Sequence, residues 1–173
     1  PVWLLHGLET GSELSWKIVE SCGPTDQVLK KIDLLLLQKI GLEGELAVIE
    51  KLKNHLPAPA KNRIRHISLV DDYAGFDIQT PSVKNSDNIS LLEIKTFSRP
   101  GNVFCFYISR NEARVASNNE NWRLVGVIRT PVGHNILGIL NFNQFSHLLP
   151  VDVSSNCIWE SAKINLPISL FIP

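Results

Sequence analysis

Two consecutive stretches of the chain repeat apolar residues at helical spacing. In the first, Val28, Leu29, Ile32, Leu35, Leu36 and Ile40 recur every three or four positions, Thr25 and Asp26 precede them as caps, and Gly41 is placed to stop the helix. In the second, about 42–55, Leu42, Leu46, Ile49, Leu52 and Leu56 form an apolar arc that Pro57 and Pro59 bring to an end. The spacing predicts two helices parted at Gly41. Ahead of them Trp3, Leu4, Leu5 and Trp16 mix with Gly7, Gly11 and Gly23 without a period, so an irregular cap is expected up to about Pro24.

The pattern then turns to strands. Residues 64–70 and 75–80 read as a hairpin closed by Asp71-Asp72-Tyr73-Ala74-Gly75. After a polar loop, 89–95 reads as a central strand, 96–102 as a loop and 103–108 as a further strand. Ser109 with Glu112 three positions on has the spacing of a capping box, which opens a helix to about Ser117. Residues 122–129 and 135–141 read as strands around Thr130-Pro131-Val132-Gly133, with a short helix over 143–148 and an apolar, proline-spaced tail from Trp159. No internal repeat interrupts this order. It describes one mixed α/β domain: a helical extension at 1–40, a core at 41–130 and a β-rich C-terminal extension at 131–173 packed on that core.

A chain of 173 residues holds one complete core, and 44% hydrophobic with 20% charged residues places it among ordinary globular proteins. No apolar run nears the roughly 20 residues of a bilayer crossing; the longest candidate, 32–37, contains Asp33. The start has neither the basic region nor the cleavage site of a secretory signal, so an intracellular setting is expected, cytoplasmic if the chain is bacterial. Cys22, Cys105 and Cys157 are odd in number and far apart, and free, mostly buried thiols are expected. The absence of methionine and the proline start lead us to expect a piece of a longer polypeptide. Basic and acidic residues number 17 each, so composition shows none of the basic excess of an autonomous DNA-binding domain.

Candidate chemistry enters on the central strand. Alternation sends Glu93 and Lys95 to one face and Leu92 and Ile94 to the other. A Glu-x-Lys pair at the end of an apolar strand is costly to bury unless a cation shares the carboxylate; an edge-strand ion pair is the plainer explanation. In Gly75-Phe76-Asp77-Ile78 a lone acid lies between two apolar residues, and alternation turns Asp77 away from both. Two carboxylates on neighbouring strands plus a backbone oxygen suit Mg²⁺, although a turn-forming Asp also accounts for Asp77. On the second helix, Glu45 falls inside the apolar arc, where it needs a partner such as Lys95 or a metal-bound water; Glu43 and Glu50 fall at its edge. Asp71 and Asp72 are rival ligands that turn chemistry explains. His6, His55, His66, His134 and His147 lack ligand spacing.

Gly41-Leu42-Glu43-Gly44-Glu45, Gly75-Phe76-Asp77-Ile78 and Leu92-Glu93-Ile94-Lys95-Thr96 together resemble the motifs of PD-(D/E)XK restriction-endonuclease-like nucleases. With Ile108-Ser109-Arg110-Asn111-Glu112, they look like one branch, the domain found at the C-terminus of the plant protein NO VEIN and in bacterial restriction-type proteins, over about 41–128. The resemblance implies a three-layer α/β core with a mixed central sheet. It implies that Asp77 and Glu93 bind Mg²⁺, with Mn²⁺ able to substitute, that Ile94 adds its carbonyl, and that Lys95 orients or activates the attacking water. Glu45 would be the helix carboxylate of the site. The proline that often precedes the first aspartate of this superfamily is replaced here by Phe76. For Asn111 and Glu112 the capping box and a place near the site are both open.

The function expected from this is a Mg²⁺-dependent endonuclease acting on phosphodiester bonds, in double-stranded DNA, as the cleavage domain of a restriction or defence-type protein; the same residues also suit RNA, or modified or structured DNA, and the sequence does not separate these. Because the chain carries no net charge, a further domain or subunit is expected to supply recognition or translocation. Lys61, Arg63, Arg65, Arg99, Arg110 and Arg114 are candidate phosphate contacts. The rival expectation is a catalytically inactive nuclease-fold module that binds nucleic acid or a protein partner.

Overall fold

The computed structural model describes residues 26–83, 85–98, 101–152 and 158–171, with side chains from residue 34 onward. The expected N-terminal cap, Cys22, Arg99 and Cys157 lie outside the described residues. The chain divides after Leu42 into two compact units, 1–42 and 43–173. Helix α1, Asp26–His55, runs without a break across Gly41, where two helices were expected. A glycine inside a helix costs only about 1 kcal/mol relative to alanine. With good helix formers on both sides at Gln38, Lys39, Leu42 and Glu43, that is too little to end the ladder. The short helix α2, Ala58–Lys61, follows Pro57.

In the second unit the strands are β1 (Arg65–His66), β2 (Ile78–Pro81), β3 (Ile89–Phe97), β4 (Val103–Ser109), β5 (Trp122–Thr130), β6 (Gly133–Asn141) and β7 (Ser161–Pro167). Five of them form a mixed sheet in the order β1-β2-β3-β5-β6, with β3 central as its apolar run implies. β3 and β5 are parallel, from Leu91 opposite Trp122 to Phe97 opposite Ile128, and the other neighbours are antiparallel. The crossover between them is β4 followed by helix α3, Arg110–Asn118. β4 itself leaves the main sheet and pairs antiparallel with β7. The segment 131–173 thus contributes strands to both sheets. The expected helix over 143–148 is two single 3₁₀ turns, Phe142–Gln144 and Ser146–Leu148.

The expected hairpin exists but is short. Only Arg65 and His66 pair with Gln79 and Ile78. Beyond them the backbone N–H groups of Ile67 and Ser68 both donate to Asp77 O, and those of Val70 and Asp71 donate to Ile67 O, so the chain curls into turns instead of extending the ladder. Gly75 takes φ +75°, a left-handed conformation open to glycine at little cost.

Two cores flank the main sheet. On one face Ile78, Leu92, Ile94, Val125 and Val127 pack with Val48, Ile49 and Leu52 of α1. On the other, Phe104, Phe106, Ile108, Ala113, Ala116, Trp122 and Leu124 gather around α3 and the β4–β7 pair. The buried face of α1 keeps Ile49 and Leu52 of the expected arc but is turned from its first half: Val48 is 4% exposed, whereas Leu42 and Leu46 are 38% and 50% exposed. Gly44 accounts for the difference. A methyl group at Gly44 would overlap Oγ1 of Thr96, so the bare helix surface there lets α1 lie close against β3. Hydrophobic periodicity is blind to a contact made by the absence of a side chain.

Gly44→Ala is therefore expected to destabilise the protein, although alanine is the better helix former. Overpacking of about 1–3 kcal/mol outweighs the roughly 1 kcal/mol gained in propensity. Urea denaturation measures the balance, and a variant at or above the wild-type midpoint would mean that α1 is free to shift.

Candidate functional site

The site grows from the end of the β2–β3 ladder. The last pair is Ile78 opposite Leu92, and Asp77 N–H donates to Leu92 O at 2.8 Å. One residue further, the ladder is continued by a side chain: Ile94 N–H donates to Asp77 Oδ2 at 2.7 Å. Simple alternation fails at this point. Phe76 packs in the α3-side core and Ile78 in the α1-side core, because Asp77 stands outside β2 and the chain turns there. The Asp77 carboxylate is thereby fixed beside β3, with acceptor capacity beyond the one bond it makes. Trp122 Nε1 donates to Gly75 O at 3.0 Å, which anchors the turn that delivers Asp77.

Along β3 the alternation holds. Leu92 and Ile94 enter the α1-side core, while Glu93 and Lys95 face α3. Lys95 Nζ lies 2.6 Å from Glu93 Oε1 and 3.1 Å from Glu112 Oε1. Glu93 is 3% exposed, rare for an acid. Glu112 sits there because Ser109 caps α3: Ser109 N–H donates to Glu112 Oε2 at 2.6 Å, and Glu112 N–H donates to Ser109 Oγ at 3.1 Å. The capping box and proximity to the site are both true of Glu112, one oxygen serving each. Its neighbour Asn111 donates from Nδ2 to Tyr73 O at 2.8 Å, tying α3 to the turn before Asp77.

Asp77, Glu93 and Glu112 thus share one ammonium, so full ionisation would leave three negative charges against one positive. Burial, with the charges of Glu45 and Glu112, pushes Asp77 up to about 6 against the pull of the Ile94 N–H and Lys95. Burial, aided by Asp77 and Glu112, also lifts Glu93 well above the usual carboxylate range despite Lys95. Glu112 goes the other way: burial is outweighed by Lys95 and the Ser109 N–H, which hold it low. For Lys95, burial is overcome by Glu93, Glu112 and Asp77, which hold the ammonium charged. The two acids left wanting positive charge are Asp77 and Glu93.

That imbalance fits a divalent cation held by hard oxygens. Among the described residues no three His, Cys, Asp or Glu side chains are grouped to hold a metal by themselves. A cation here would rest on Asp77 and Glu93 together with a backbone oxygen such as that of Ile94. Both carboxylates line one cleft of about 350 Å³, with Ser68, Asp71, Asp72, Tyr73, Asn111 and Glu112 also on its walls.

Glu45 is placed differently from the expectation. Its partners are His66 Nε2 at 2.5 Å and Ser68 Oγ at 2.6 Å, not Lys95, because the turned face of α1 aims it at β1 and the turn behind it. It still adjoins the site: Ser68 lines the cleft, and Asp77 feels the Glu45 charge. His66 and Ser68 were not singled out from sequence, since their bonds to Glu45 span 21 and 23 residues and no local spacing encodes them. Asp71 makes the turn expected of it, accepting from Tyr73 N–H at 2.9 Å, and it also borders the cleft with Asp72. Of the candidate phosphate contacts, Arg110 is engaged by Asp152 at 2.5 Å and lies 5.7 Å from the Trp159 ring centre. Arg114 donates to Asn111 Oδ1 and Arg63 to Ser86 O. Cys105 is a free thiol and only half-buried, less buried than expected.

Fold and cleft together define a mixed α/β domain in which a five-stranded sheet carries an acid–lysine cluster on its central strand, with an extended helix at the N-terminal end and strands toward the C-terminus. The chain belongs to the family described as "Protein NO VEIN, C-terminal", whose match covers residues 44–136, more than half of its length. The match opens on Gly44, the residue that seats α1 on β3, and includes Asp77, Glu93, Lys95 and Glu112. No curated protein and no solved structure matches the chain significantly. Among the described residues no helix is long and apolar enough to cross a membrane.

Proposed function

We propose that this domain is a Mg²⁺-dependent endonuclease of the PD-(D/E)XK type, acting on DNA as the cleavage module of a restriction or defence-type protein. The observation that carries the reading is the meeting of Asp77 and Glu93 on one cleft, two carboxylates short of positive charge, with Lys95 held as a cation against Glu93. Bound there, a divalent cation would neutralise phosphate charge and lower the pKa of water. Asp77 and Glu93 would hold it, and the bond from Ile94 N–H keeps the Asp77 carboxylate oriented in advance. Lys95, charged at working pH, acts through its field on the negative charge that develops on the phosphoryl oxygens, not as a base. With equal numbers of acidic and basic residues the domain has little general affinity for DNA, so another domain or subunit is proposed to bring the duplex to it.

A second reading, a non-catalytic module that binds nucleic acid or a protein partner, draws on the closed ion pairing of Lys95 with Glu93 and Glu112. Nicking of supercoiled plasmid and of a matched RNA, with Mg²⁺, Mn²⁺ or EDTA, separates the two. Cleavage that needs the metal and is lost in Glu93→Gln supports the nuclease. Calorimetry showing no Mn²⁺ binding, together with absence of cleavage on either polymer, favours the binding module.

A further inference from the structure

Glu112 is placed by the fold where a helix cap and the buried ammonium of Lys95 meet. Its backbone and one carboxylate oxygen are fixed by Ser109: N–H to Oγ at 3.1 Å, and Oε2 to the Ser109 N–H at 2.6 Å. These are the two reciprocal bonds of a capping box. They leave Oε1 free of the cap, and it accepts from Lys95 Nζ at 3.1 Å. Four side-chain torsions separate Nζ from the β3 backbone, so without a fixed acceptor the ammonium would have several rotamers open to it. Glu93 alone is a poor anchor, since in the proposed reaction it must also serve a cation. Glu112, whose other oxygen is held by the Ser109 N–H at the start of α3, is the steadier of the two acceptors.

We propose that Glu112 is a positioning residue for Lys95, using the capped N-terminus of α3 to hold the ammonium beside the cleft-lining Glu93 when that carboxylate serves a cation. The proposal rests on the nuclease reading for its consequence in the reaction, and on the geometry alone for the placement of Lys95. The Ser109 N–H sets the position of the carboxylate, and the carboxylate sets the position of the lysine; the Ser109 hydroxyl serves the helix backbone alone.

Two substitutions separate this role from capping. Glu112→Gln keeps an oxygen for the Ser109 N–H, and so keeps the box, but takes the negative charge from Lys95. Ser109→Ala removes the hydroxyl acceptor while leaving the backbone N–H that orients Glu112. The measurements are thermal melting, the ¹⁵N–¹H signal of the Lys95 ammonium at low temperature, and kcat and KM for Mg²⁺-dependent plasmid nicking. In Glu112→Gln the melting temperature is expected to stay close to wild type. The Lys95 ammonium signal is lost to solvent exchange, and kcat falls by about 10- to 100-fold with KM unchanged, the usual scale for a residue that orients a functional group. In Ser109→Ala the protein melts lower but the ammonium signal persists. An ammonium signal in Glu112→Gln that matches wild type overturns the proposal, as does its loss in Ser109→Ala. If the wild-type protein cuts no nucleic acid, the nuclease reading fails by itself, and the ammonium signal alone decides the role of Glu112.

Discussion

Asp77→Asn is expected to make the metal-free protein more stable at pH 8 by up to about 3 kcal/mol, and to abolish cleavage. The figure follows from a carboxyl raised from 3.8 to about 6, at about 1.36 kcal/mol for each tenfold change in proton affinity. The folded state binds this proton more tightly than the unfolded chain does. Between about pH 4 and 6 the native protein therefore carries the extra proton, and wild-type stability falls as pH rises through that window. Above about pH 6 the carboxylate is charged and the cost of burying it is fully present. Asparagine is never charged and can still accept from the Ile94 N–H through its carbonyl oxygen, so the variant escapes this cost. Near pH 3.8 the two proteins should be about equally stable. Urea denaturation at a series of pH values in EDTA measures the difference. Mg²⁺ should then raise the stability of the wild type but not of Asp77→Asn, since a ligand that binds only the native state stabilises it. A variant less stable than wild type at pH 8 would show that the carboxylate is already compensated and not waiting for a cation.

Lys95→Ala carries the largest expected loss of activity. Removing a preorganised charge aimed at a developing negative charge typically lowers kcat by about 10²- to 10³-fold, and plasmid nicking is expected to fall at least that far. Stability should fall as well. Glu93 is 4% exposed at its side chain and would be left beside Asp77 and Glu112 without a cation. Breaking a buried pair from one side costs about 3–5 kcal/mol, reduced here to the extent that Glu93 takes up a proton instead. Adding Glu93→Gln to Lys95→Ala should recover most of the stability and none of the cleavage. That double variant separates unfolding from loss of chemistry. A Lys95→Ala protein that nicks DNA at the normal rate removes Lys95 from the site.

Where sequence and structure agree, the determinants are local. The Ser109–Glu112 box opened α3 at its first residue, and the apolar run 89–95 became the central strand, because capping and alternation act over a few positions. The Glu93–Lys95 face was legible for the same reason. The failures are long-range. Gly41 looks like a stop, yet its cost of about 1 kcal/mol is too small to end a helix with good helix formers on both sides. The arc is right at Ile49 and Leu52 and wrong at Leu42 and Leu46, because Gly44, which an apolar pattern leaves out, lies on the face that meets Thr96 of β3. Glu45 was correctly suspected of needing a partner, but the partner came from β1 and the turn after it. Asp77 was found by its isolation among apolar neighbours. Its means of attachment, a side chain standing in for a strand, required the pairing of β2 with β3.

The departure of β4 from the main sheet bears on how the molecule assembles. Its partner strand is made long after it: the paired residues run from Ser109 with Ser161 to Val103 with Pro167, separations of 52 to 64 positions. Loop closure over such distances is slow, and a strand whose partner has not yet arrived presents bare N–H and C=O groups to any other extended chain. The side chains on its inner face, Phe104, Phe106 and Ile108, are all buried in the finished protein. A chain emerging from the ribosome therefore holds a sticky, half-made layer under α3 until β7 is synthesised.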